Sequence, residues 1–105
     1  TQPEIASSHG WPSDLFVVAF PDGRLACNRA TTEGIERDPM KIEGLALHLT
    51  EVSAVHYISE SKELPPGGKP CAMSYDAARL AAVGRDLDAL LLMDGVKIID
   101  MEFLK

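Results

Sequence analysis

Basic clusters, long apolar runs and paired ligand motifs are all missing from this chain, and each absence narrows what it does. Ten Lys and Arg stand against sixteen Asp and Glu, a formal net charge of −6 over 105 residues, and the basic residues are scattered. A binder of nucleic-acid backbone gains affinity by releasing counterions from a positive stripe, so no nucleic-acid partner is expected. No apolar run approaches the roughly 20 residues of a membrane-spanning helix, so no membrane partner is expected either. The opening Thr1-Gln2-Pro3-Glu4 lacks the basic flank and apolar core of a signal peptide. The expectation is an initiator methionine removed before Thr1 and a cytoplasmic chain.

The three histidines, His9, His48 and His56, and the two cysteines, Cys27 and Cys71, form no C-x-x-C or H-x-x-x-H spacing. Such spacings are what bring metal ligands onto one face of a turn or helix, so neither a metal site nor a cofactor is expected. A disulfide between Cys27 and Cys71 requires Cα atoms within about 7 Å, and spacing alone leaves it open; in a domain that owns a core, free thiols are the expectation.

What is present describes a folded domain. Hydrophobic residues at 46% and charged residues at 25% lie far from the composition of disordered chains. A domain of this size buries roughly two-thirds of its unfolded surface. Residues 1–13, with Pro3, Gly10 and Pro12, have no period and read as an irregular arm ahead of a single domain at 14–105. Trp11 in that arm is expected to pack back on the body, because burying its ring is worth a few kcal/mol.

Leu15 to Phe20 is apolar on both faces and reads as a strand covered on both sides. Pro21-Asp22-Gly23 reverses it, and Arg24 to Arg29 alternates as the second arm of a hairpin with Cys27 buried beside Leu25. Ala30 to Arg37 is polar and reads as a loop. Asp38-Pro39 predicts a helix start, an aspartate cap followed by proline where its missing donor is harmless. Ile42, Leu45, Ala46 and Leu49 then recur at helical spacing, with His48 beside them as a satisfied boundary residue. Val52 to Ser59 alternates in part and predicts an interior strand with His56 on its apolar face. Glu60 to Met73 reads as a long loop, the kind that tends to be functional. Ser74, followed by Asp76, caps a helix over Tyr75 to Met93 that buries Leu80, Val83, Leu87, Leu90 and Leu91 and ends at Asp94-Gly95. Gly84 in its middle marks close packing. Val96 to Leu104 is the last strand, with Ile99, Met101 and Phe103 toward the core and Asp100 and Glu102 away. The fold class is therefore α+β: one two-layer domain with a mixed four-stranded sheet, ββαβαβ in sequence order, and two helices.

Beside the unsupported metal site among His9, His48, His56 and the cysteines, two candidate sites and one candidate base follow. Gly67, Gly68, Lys69, Cys71 and Ser74 lie before a helix start, where free amides, a cation and the helix dipole suit an anion, although the spacing is not that of a phosphate-binding loop. Cys71 is a candidate nucleophile beside Lys69, assisted by His48 or His56; His56, desolvated on a strand, is a candidate base. The expected function is a small non-catalytic protein-binding or assembly module, with a homodimer through a sheet edge as one form. A small-molecule or anion sensor using the 64–74 loop is the alternative, and a thiol-dependent enzyme with Cys71 the second.

Overall fold

The computed structural model describes residues 10–31, 41–62 and 64–104. Its first strand, β1 (Asp14–Ala19), alternates as its side chains require: Leu15 and Val17 enter one apolar cluster, Phe16 and Val18 another. Pro21-Asp22-Gly23 turns the chain, with Gly23 at φ +87 and its N–H donating to the Phe20 carbonyl at 3.0 Å. The expected hairpin lasts for one bridge, Ala19 to Leu25. The chain then leaves β1, and β2 (Cys27–Thr31) pairs antiparallel with β3 (Lys41–His48). Farther along, β1 also meets β3, Phe16 opposite His48. One edge of β3 is taken by β5 (Ala89–Asp94), parallel to it, so β1 and β2 lie end to end along the other.

Two expected elements exchange character. Lys41–His48 is a strand where helical spacing predicted a helix, and α1 (Glu51–Glu60) is a helix where alternation predicted a strand. The reason for the first is the central position of β3, whose residues from Gly44 to His48 are all buried. A strand covered on both faces needs apolar residues on both, and such a run contains i, i+3, i+4 matches by chance. The second has a local cause. The Thr50 hydroxyl accepts the Ser53 N–H at 3.1 Å, capping a helix whose inner face is Ala54 and Tyr57, and these contacts override the strand preference of its β-branched residues. Asp38-Pro39, residues 32–37 of the expected loop and residues 1–9 of the arm lie outside the described residues.

The expected loop from Glu60 to Met73 is also shorter than its composition implied. Lys69–Ser74 is strand β4, antiparallel to β1 along its whole length. It runs straight into α2 (Tyr75–Gly84), which stops well before Met93. Tyr75, Ala78 and Ala82 are the buried residues of α2, while Leu80 and Val83 are exposed. Gly84 ends the helix with open space around it, so it marks no close packing. Asp86 follows at φ 57, and Leu87, Leu90 and Leu91, expected on the helix, are buried at the start of β5 and within it.

The last hairpin joins β5 to β6 (Lys97–Phe103) through a turn in which Gly95 has φ +58. A positive φ at the first of two turn residues is the type II′ pattern that matches strand twist. A bulge opposite Leu92 and Met93 shifts β6 and changes part of the expected facing: Glu102 is buried and Ile99 and Phe103 are about half exposed, while Met101 packs partly buried against the α1-side cluster as expected.

Among the described residues the mixed sheet has six strands, not four, in the order β4-β1-β3-β5-β6 with β2 alongside β3. Both helices are present, one on each face. Tyr75, Ala78 and Ala82 of α2 pack with Leu15, Leu45, Leu47 and Leu90; Ala54 and Tyr57 of α1 pack with Val18, Ala46 and Leu91. The helices follow β3 and β4 as crossovers to opposite sides, so the α+β domain has three layers where two were expected. No helix among the described residues is long and apolar enough to cross a membrane.

Candidate functional site

The residues proposed for an anion site are spread along a strand. Gly67, at φ +88, and Gly68 press against Pro21 and Phe20; a Cβ on Gly68 would sit 2.8 Å from the Phe20 ring. Lys69 opens β4 opposite Ala19, Cys71 stands opposite Val17, and Ser74 closes β4 opposite Asp14. Five residue-to-residue steps of extended chain separate Lys69 from Ser74, about 17 Å at the usual rise per residue. One small anion therefore cannot touch both the Gly-Gly-Lys turn and the start of α2. Ser74 keeps its expected part as a cap, its hydroxyl accepting the Ala77 N–H at 3.2 Å.

Cys71 is exposed on an edge strand and Cys27 is half-buried; both thiols are free. The Cys71 sulfur has the carbonyl of neighbouring Ala72 at 3.7 Å, too long and too local to activate it. His56 is not on an apolar strand face: it is exposed on α1, one turn from Glu60, with Nδ1 3.4 Å from Oε1. Among the described residues no three His, Cys, Asp or Glu side chains gather as a metal site; His9 lies outside them.

The residue that composition undervalued is His48. It ends β3 with no exposed surface, its ring edge-on to Tyr57 at 5.3 Å. Its Nδ1 is 2.7 Å from the Ser53 hydroxyl. That hydroxyl also accepts the Gly95 N–H at 3.0 Å and donates to the Met93 carbonyl at 3.2 Å. A hydroxyl has one proton and two lone pairs. With its proton on Met93, Ser53 takes the N–H of His48, which leaves Nε2 as a bare lone pair, buried and without a partner. Burial holds the imidazole down to about 4.

A shallow groove of about 580 Å³ lies beyond Tyr57, lined by Phe20, Leu25, Cys27, Lys62 and Leu64 among others. The Tyr57 hydroxyl donates to the Cys27 carbonyl at 3.5 Å. Burial pushes the Cys27 thiol up, with Glu43 adding and Arg85 opposing, and burial likewise raises Tyr57. Both shifts favour the neutral thiol and phenol, while Asp22, Arg24 and Lys62 bring charge to the groove's lining.

On the opposite face, two acids of β6 turn inward. Asp100 accepts the Trp11 indole N–H at 2.7 Å, and Glu102 accepts the Tyr75 hydroxyl. Trp11, 3% exposed as its bulk predicts, meets Tyr75 edge-on at 6.4 Å. These contacts anchor one face of β6 and leave its edge as the last element of the sheet.

Among the described residues β2 pairs only with β3, and the strands that end the main path, β4 and β6, present edges of different character. The β4 edge begins with Lys69 and Pro70, a charge and a residue with no N–H to offer, two devices that discourage a further strand. The β6 edge carries Ile99 and Phe103, 48% and 49% exposed. Leu104 donates to Asp88 across β5, so by the alternation of an antiparallel ladder Met101 and Phe103 present their backbone groups outward. The Met101 N–H is held by Asp100 Oδ1 at 2.8 Å. Neither the alternation nor the composition of Val96 to Leu104 signals this, because the bulge that sets the facing is a property of the pairing. Compared with family models, with curated proteins and with solved structures, the chain matches none.

Proposed function

We propose that this chain is a non-catalytic protein-binding module that accepts an extended segment of a partner along the outer edge of β6. The observation that carries the reading is the contrast between the strands that end the main path of the sheet, β4 guarded by Lys69 and Pro70, β6 bearing half-exposed Ile99 and Phe103. Strand addition draws affinity from main-chain hydrogen bonds and specificity from alternate side chains. The partner segment has large apolar residues where it meets Ile99 and Phe103 and basic residues elsewhere. Its positive charge answers a net charge of −6, which disfavours a second acidic copy.

Panning a displayed peptide library against the protein and against an Ile99→Lys, Phe103→Lys double variant tests this. The expected result is enrichment of peptides alternating apolar with Lys or Arg, which slow amide exchange at Phe103 and lose at least about tenfold in affinity on the variant, the effect of removing one well-buried anchor. Peptides that bind both proteins equally, or no enrichment, would overturn the reading. A wild-type dimer in sedimentation that the variant abolishes would replace the basic partner with a second copy and overturn it too.

A further inference from the structure

Buried polar groups in folded proteins are nearly always partnered, which makes the lone pair on His48 Nε2 the least satisfied group in the described interior. Its other nitrogen belongs to a junction. Through Ser53, His48 ties the end of β3 to the first turn of α1, to the last carbonyls of β5 at Met93, and to the β5–β6 turn at Gly95. We propose that His48 and Ser53 form a proton-released latch that holds the first turn of α1 and the β5–β6 turn against the end of β3.

The surroundings dictate the direction. From α1 the titratable neighbour is Tyr57, kept neutral by burial; β1 presents Phe16 and β5 presents Met93. The charged residues of these elements, Asp14, Lys41, Glu43, Glu51, Glu60 and Asp94, and the titratable His56, are exposed at the surface. Among the described residues of these elements no buried carboxylate therefore stands by to balance a proton's charge on Nε2. A protonated His48 gains stability by reaching water, and lifting the first turn of α1, joined to its other nitrogen through Ser53, is the opening that would let water in. Folded-state protonation is depressed from 6.5 to about 4 by desolvation, so between these values the opened form binds the proton and the closed form does not. The latch is closed above pH 6.5 and is progressively released as pH falls through that window.

Amide exchange followed by NMR from pH 7 to pH 4, expressed as protection factors so that intrinsic pH dependence cancels, reads the latch directly. The reporters are Gly95, which donates to Ser53 Oγ, and Ala54, which donates to the Thr50 carbonyl; Leu91 reports global unfolding. Gly95 and Ala54 are expected to show protection well below Leu91, falling about tenfold per pH unit below 6.5, the slope of one proton. In His48→Asn, whose amide nitrogen stands in for the Nδ1 donor but does not titrate, that slope is expected to vanish. Equal protection at Gly95, Ala54 and Leu91 throughout would mean that only global unfolding frees His48, and would overturn the latch. So would a slope that persists in His48→Asn. If that variant does not fold, the wild-type comparison of Gly95 with Leu91 decides alone.

Discussion

Replacing Gly44 by alanine tests the central rearrangement of this fold, because its sign depends on whether residues 41–48 form a strand or a helix. In the middle of a helix, glycine to alanine stabilises by about 1 kcal/mol. On β3 the added methyl enters the seam with β5. Its Cβ would lie 2.6 Å from Leu91 Cγ and 2.8 Å from the Ala89 carbonyl oxygen. Leu91 has other rotamers, but it is fully buried and has little room to use them. The carbonyl belongs to the strand in register with Gly44 and moves only if β5 moves. Forcing an extra methylene into a packed core costs typically 1–3 kcal/mol, and the entropy gained by removing a glycine offsets less than about 1 kcal/mol of that. A net loss of about 1–2 kcal/mol corresponds to a melting point lower by roughly 4 to 16 °C in a domain of this size. Urea and thermal melts at fixed pH measure it. Gly84→Ala is the internal control: no atom lies within 4 Å of its added Cβ and it sits on α2, so it is expected to be neutral or stabilising by up to about 1 kcal/mol. A Gly44→Ala protein as stable as the wild type would refute the close approach of β3 and β5.

Thr50→Ala removes the side-chain acceptor of the Ser53 N–H and is expected to lower stability by about 0.5–2 kcal/mol in chemical denaturation; no change would mean that α1 is not capped there. Leu87→Ala, at a buried position, is expected to cost about 2–5 kcal/mol through the cavity it leaves, and an unmoved urea midpoint would take Leu87 out of the core. With a neutral alkylating reagent at pH 7.5, Cys71 is expected to react fast and Cys27 slowly, since the first is exposed and the second is half-buried with its thiol pKa raised by burial; equal rates would contradict the packing of β2 on β3. Deleting Pro65 to Lys69 is expected to destabilise the fold, because Gly67 and Gly68 pack on Pro21 and Phe20 and Lys69 pairs with Ala19; a deletion that leaves the melt unchanged would show the segment to be a free connector.

Where local chemistry determines structure, the sequence was readable. The run from Leu15, the turn at Gly23, the cap at Ser74 and the burial of Trp11 each follow from a residue's own shape or hydrogen-bonding capacity, whereas Gly95, expected to end a helix, turns a hairpin between β5 and β6. Where burial on a second face determines structure, it was not. Ile42, Leu45, Ala46 and Leu49 fit a helical stripe only if Leu47 and His48 face elsewhere, and both are buried because β3 has neighbours on every side. The same blindness affects the sites. His48 acquires its character from Ser53, Met93 and Gly95, which are brought together only by the fold, and His56 loses its candidate role because α1 turns it outward. The facing of Asp100 and Glu102 depends on one bulge, and no property of those residues announces it. Two acids three bonds of alternation from an apolar run are ordinarily the solvent side of a strand, and here they are the buried side because Trp11 and Tyr75 supply their donors.

The exposed edge is a consequence of the topology. Each crossover helix exists because it joins strands that run the same way, and such a connection needs a dozen or more residues. The path from β3 to β4 lays α1 over one face, and the path from β4 to β5 lays α2 over the other. The step from β5 to β6 is antiparallel and closes in two residues, so no helix comes with it. α1 packs over β4, β1 and β3 and reaches β5, and Met101 and Ile98 gain part of their cover from the cluster beneath it. Beyond that reach, the side chains on the same face of β6 stay half exposed. On the other face the strand is fastened by Trp11 and Tyr75 through hydrogen bonds to Asp100 and Glu102, while Ile99 and Phe103 stay half exposed. On the proposed reading, a strand fastened in this way would lose little conformational freedom on accepting a partner segment, and that preorganisation would favour binding.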